Sequence, residues 1–109
     1  MKKTDASAQP RGAWTFLSNH AHVLLCIARD PDARVRDIAA VVGITERAAQ
    51  RILAELIAEG YASSTKIGRR NRYEVNPAGH LRHPYFRNLS VGPLLDMLNN
   101  DEPRARRRR

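Results

Sequence analysis

At 109 residues and a formal net charge of +8, the chain has the size of one domain and suits a polyanionic partner, either nucleic acid or an acidic membrane surface. Five arginines (Arg104, Arg106, Arg107, Arg108 and Arg109) crowd the C-terminus; without them 14 basic residues face 11 acidic ones, so the body is only mildly basic. Cys26 stands alone, which excludes an internal disulfide and a four-cysteine zinc site, and no run of about 18 apolar residues exists to span a bilayer.

The opening residues, MKKTDASAQPRG, begin like a leader peptide, but no hydrophobic stretch follows, so a cytoplasmic protein is expected. Residues 1–13 are small, polar and broken by Pro and Gly, and read as a flexible arm. A folded domain is expected over 14–98, and a disordered Arg-rich tail over 99–109. Helical periodicity begins around Phe16: Leu17, Ala21, Leu24 and Ala28 share one face, and Leu25 widens it. Ser18 or Asn19 can cap this first helix, and Asp30-Pro31 ends it. A short second helix follows from Val35, with Ile38, Val41 and Val42 as its stripe and Asp37 suited to the first turn.

Gly43 falls where a left-handed C-cap is needed, and Thr45 can cap a third helix carrying Ala49, Ile52, Leu53, Leu56 and Ile57 on its apolar face. Gly60 stops it. The period then shifts toward two, with strands expected over 61–67 and 72–76 around a basic hairpin tip, Gly68-Arg69-Arg70-Asn71. Tyr61 and Tyr73 are expected to pack this hairpin on the third helix. Residues 77–88 look irregular, and a last helix runs from Val91 to about Leu98, with Ser90 as its cap and Leu89 stapling Leu94.

The fold class is therefore mainly α with a β-hairpin (α+β), a winged helix-turn-helix in the order α1-α2-α3-β-wing-β-α4. The turn chemistry agrees. Two helices meeting steeply need a small residue at the contact, which Ala39 supplies, while Ile44 plugs the corner. Thr45, Glu46, Arg47, Gln50 and Arg51 then face outward at the start of the third helix, where a helix laid in a major groove reaches base edges. Arg and Gln suit bidentate base contacts, although Arg51 could instead pair Glu55 four residues on. Arg69, Arg70 and Asn71 are candidate wing contacts in a minor groove, and Arg36, Lys66 and Arg72 candidate phosphate contacts.

The stretch from Phe16 to Val75 resembles small bacterial winged-helix transcriptional regulators of the MarR-like and ArsR-like superfamily. The most telling part is residues 34–75, RVRDIAAVVGITERAAQRILAELIAEGYASSTKIGRRNRYEV, with GRRNRYEV as the wing. The resemblance implies sequence-directed binding of double-stranded DNA, as a dimer that blocks or adjusts transcription. Two other readings of the same residues are a winged-helix protein-interaction module and a non-specific nucleoid or RNA-binding protein working through the Arg-rich tail.

No catalytic signature appears: there is no Gly-rich phosphate loop and no Gly-x-Ser-x-Gly elbow, so neither an enzyme nor a cofactor is expected. His20 and His22 point apart on one helix, His80 and His83 sit in a loop, and Cys26 reads as a small core residue, so no metal is expected. Trp14, Tyr61, Tyr73, Tyr85 and Phe86 do not share one strand face, as a base-stacking platform requires. One winged helix this small reads few base pairs, so a homodimer is expected. Phe16 and Leu17 at the first helix, and Val91, Leu94, Leu95 and Leu98 along the last, are its candidate interface; the competing arrangement folds the last helix onto the first helix of its own chain.

Overall fold

The computed structural model describes residues 14–100; the expected arm at 1–13 and the arginines beyond residue 100 lie outside the described residues. In chain order it has α1 (Asn19–Arg29), α2 (Val35–Val42), α3 (Glu46–Ala58), β1 (Ala62–Ile67), β2 (Arg70–Val75) and α4 (Val91–Asn99). This is the winged helix order, four helices and one two-stranded antiparallel hairpin.

Each helix starts where the local chemistry permits. Ser18 caps α1 by accepting from the Ala21 amide, and Thr45 caps α3 by accepting from the Ala48 amide. α1 therefore begins at Asn19, and Phe16 stays outside the helix with 90% of its surface exposed. Its buried stripe is Val23, Leu24 and Ile27, rotated from the expected one because Cys26 and Leu25 sit at its half-buried flanks. α2 buries Ile38 and Ala39, while Val41, expected inside, is 74% exposed.

Between α2 and α3, Gly43 adopts φ 86°, the left-handed region that costs a residue bearing Cβ about 1–2 kcal/mol. With that conformation both the Gly43 and the Ile44 amides reach the Ala39 carbonyl, and the chain turns sharply enough for α3 to return across α2. Ala49, Ile52, Leu53 and Leu56 of α3 complete the core with α1 and α2. At its far end the Tyr61 and Gly60 amides donate back to Leu56 and Ile57, closing the helix in a Schellman pattern.

The hairpin pairs Ala62 with Val75, Ser64 with Tyr73 and Ile67 with Arg70, leaving a two-residue turn of Gly68 and Arg69. Arg70 and Asn71, expected at the tip, are thus ladder residues of β2. Tyr73 is buried in the core, and its amide donates to the Pro31 carbonyl at 2.8 Å, fastening the wing to the α1–α2 connection. Tyr61 is half-buried against the core; its hydroxyl donates to the His80 carbonyl and its ring covers Gly79.

Residues 77–90 form a loop whose ends close on each other: Leu81 donates to Leu89, Val91 to Gly79 and Gly92 to Pro77. Gly92 is buried so close to Pro77 that a Cβ would lie 2.9 Å from it, which explains a glycine inside a helix. Ser90 occupies the N-cap of α4 without making a side-chain cap bond. α4 lies on α1 of its own chain, burying Val91 and Leu95 in the core. Arg29 holds its end, donating to Asn99 at 2.8 Å and to the Leu98 carbonyl at 3.3 Å. That contact carries the helix through Asn99, one residue into the segment expected to be disordered.

Candidate nucleic-acid interface

α3 has one face in the core and the other in solvent. Thr45 Oγ1 accepts from the Ala48 amide and so starts the helix, while its exposed hydroxyl keeps an O–H to donate. Glu46 lies in the first turn, where the dipole favours an anion. Arg47 and Gln50 are exposed and make no side-chain hydrogen bond or ion pair among the described residues. Arg51 is exposed too, but it reaches Glu55 at 3.4 Å, the i,i+4 pair its spacing allows. That contact is long for an ion pair between half-exposed groups and is readily exchanged for a better acceptor.

Glu55 has a stronger partner. Its Oε1 accepts from His20 Nε2 of α1 at 2.7 Å, and this bond, with help from Arg51, holds the Glu55 carboxyl below the usual glutamate range. No local spacing announces the pair, since the two residues are far apart in sequence and meet only when α1 packs on α3.

On the wing, Arg69 sits in the turn, exposed and unengaged among the described residues, as do Lys66 and Arg36 on their own elements. Arg72, expected on phosphates, pairs with Asp32 at 2.9 Å, and Arg70 donates to the Asp32 carbonyl at 2.6 Å. Both arginines therefore brace the wing against the α1–α2 connection. Arg72 gives its charge to a carboxylate, whereas Arg70 meets only a neutral carbonyl and keeps its charge for the surface.

A concave cleft of about 300 Å³ lies between the wing and the start of α2, lined by Arg34, Arg69, Arg70 and Asn71. Arg34 is the N-cap of α2, and its side chain makes no capping bond. The cleft joins a helix N-terminus to three guanidiniums, a combination suited to a phosphate oxygen. Arg36 is the expected phosphate contact of this element, and Arg34 is not among the residues its sequence points to. The available signal was a residue that cannot cap standing where a cap belongs.

The expected dimer residues divide. Val91 and Leu95 are buried within this chain, because α4 packs against its own α1, and so they are withdrawn from any surface between copies. Leu17, Leu94 and Leu98 are half-buried, and Phe16 is exposed, as are Trp14 and Met97 nearby in sequence.

No helix of the described residues is long and apolar enough to cross a membrane. No curated protein matches the chain. Residues 19–62, from the first residue of α1 to the first of β1, match the winged helix-turn-helix DNA-binding family.

Proposed function

We propose that the protein is a sequence-specific DNA-binding regulator of transcription that works in the cytoplasm as a homodimer. The carrying observation is that Arg47 and Gln50 stand exposed and unengaged on the first turns of a helix whose opposite face is core. In a major groove these two side chains meet base edges, with Arg51 joining them once it leaves Glu55. Arg69 at the wing turn lies in the flanking minor groove, while Arg34, Arg36, Lys66 and Arg70 hold phosphates on either side. Affinity then comes mostly from phosphate contacts, and choice of site from α3. The MarR-like and ArsR-like resemblance supports a regulator built in this way.

The test is selection of duplexes from a random pool by the full chain, followed by the same selection with Arg47→Ala plus Gln50→Ala. A defined motif that is lost or altered in the variant is expected. If the wild type enriches no motif, its binding is non-specific and the regulator reading fails. A parallel measurement on a chain ending at residue 102 separates the arginine tail: its salt slope should fall by up to about 4 or 5, at roughly 0.9 per phosphate contact, with the motif unchanged.

A further inference from the structure

We propose that the cleft between the wing and the start of α2 binds a small free anion of the diphosphate class, which competes with DNA for the same arginines. Binding of the anion needs no DNA; only the competition rests on the DNA-binding reading. The cleft holds about 300 Å³, at the lower end of the range of about 300–1,000 Å³ usual for small-molecule sites, so it suits a compact ligand. Arg34 enters it from the cap position of α2, Arg69 from the wing turn and Arg70 from the first residue of β2. No Asp or Glu lines it. Arg72 engages both carboxylate oxygens of Asp32, at 2.9 and 3.0 Å, and Asp37 in the first turn of α2 stands outside the lining.

The lining sets the charge and the shape of the ligand. Arg34 and Arg69 make no side-chain hydrogen bond or ion pair among the described residues. Arg70 donates one N–H to the neutral Asp32 carbonyl at 2.6 Å, which fixes its direction and leaves its charge uncompensated. Three like charges around one concavity repel one another, and an anion between them turns that repulsion into attraction. Tyr73 is a second, independent sign of an occupant. It lines the same cleft and is only 6% exposed, yet its hydroxyl makes no hydrogen bond among the described residues. A buried phenol ordinarily finds an acceptor, and an anion in the cleft supplies one. Asn71 adds a side-chain amide. Donors arriving from α2, the turn and β2 call for oxygens that point several ways. Phosphate groups have them, whereas a carboxylate offers two oxygens in one plane.

The experiment titrates inorganic pyrophosphate into the full chain at fixed ionic strength, by calorimetry and by amide-resolved NMR, with acetate as the planar comparator. Pyrophosphate is expected to bind with shifts centred on the Arg34, Val35, Arg69 and Asn71 amides, and acetate about tenfold more weakly or not at all. Arg34→Gln should weaken pyrophosphate about fivefold, while Arg87→Gln, which removes the same charge from the 77–90 loop, changes nothing. Tyr73→Phe separates a binding hydroxyl from an idle one: it should fold at least as stably as wild type and bind pyrophosphate about threefold more weakly. Unfolding curves check that each variant folds. Pyrophosphate should also release a bound duplex at concentrations where sodium chloride of equal ionic strength does not. Shifts confined to the C-terminal arginines, acetate binding as tight, or Arg34→Gln or Tyr73→Phe binding as wild type does would each overturn the site. A duplex that binds and is not released overturns the competition alone. A chain that takes pyrophosphate in the cleft but binds no duplex overturns the competition and the DNA-binding reading together, and leaves the anion site standing.

Discussion

Arg47, Gln50 and Arg51 share one exposed helix surface but differ in what already holds them. The first two have no competing partner among the described residues, whereas Arg51 is engaged with Glu55. Arg47→Ala and Gln50→Ala should each cost about 1–3 kcal/mol on the selected site and far less on scrambled duplex, read by competition. Glu55 adds a pH dependence of known sign. Its folded-state carboxyl lies below the usual glutamate range, chiefly through the His20 bond, so its contribution to stability is fully present above that range and is lost as pH falls through the folded value. Urea unfolding should therefore show wild type ahead of Glu55→Gln near neutrality, with the gap closing in acid; a gap constant from neutral pH to pH 3 would refute the linkage. The exposed arginines of α3 were legible because helical spacing is local. The Arg72–Asp32 and His20–Glu55 pairs were not, since nothing short of the assembled fold brings their members together.

Among the elements, those with their own start and stop chemistry were the readable ones. Thr45, Gly43 and Gly60 bound α2 and α3 without help from tertiary structure, and those boundaries appear where the residues require them. The hairpin was readable in kind but not in register: its tip carries two residues rather than four, because Arg70 and Asn71 gain ladder partners in Ile67 and Lys66. α4 shows another limit. An apolar stripe says that a helix face is covered, yet it does not say by which chain, and here Val91 and Leu95 are covered by α1 of the same one. Removing a local signal should have a local cost. Thr45→Ala deletes the bond to the Ala48 amide and is expected to destabilise the domain by about 1 kcal/mol in denaturant unfolding, with the folded spectrum retained. Gly43→Ala should cost more than the cap, since it forces a Cβ into the left-handed region at φ 86°. The reverse ranking would mean that the turn relaxes into a conformation open to any residue.

For the whole molecule, the proposed choice of a DNA site needs more sequence than one small domain reads. One α3 in one groove touches few base pairs, whereas two related by a two-fold axis read half-sites about 10–10.5 bp apart. The surface left for that pairing differs from the stripe read in the sequence, because the chain's own core takes Val91 and Leu95. What remains is Phe16 at 90% exposure and Trp14 at 79% just before α1, Met97 at 63% on α4, and the half-buried Leu17, Leu94 and Leu98. In the proposed homodimer these exposed apolar side chains are the candidate contact with a second copy, whose two-fold would double the sequence read. Phe16→Glu with Met97→Glu should accordingly give a folded monomer by light scattering, since neither residue supports the core. The variant should hold a single half-site duplex as well as wild type does, and lose the added affinity for a duplex carrying two half-sites. Wild type that is monomeric at micromolar concentration both free and on the two-half-site duplex, or a double variant that still dimerises, would remove this surface from the assembly.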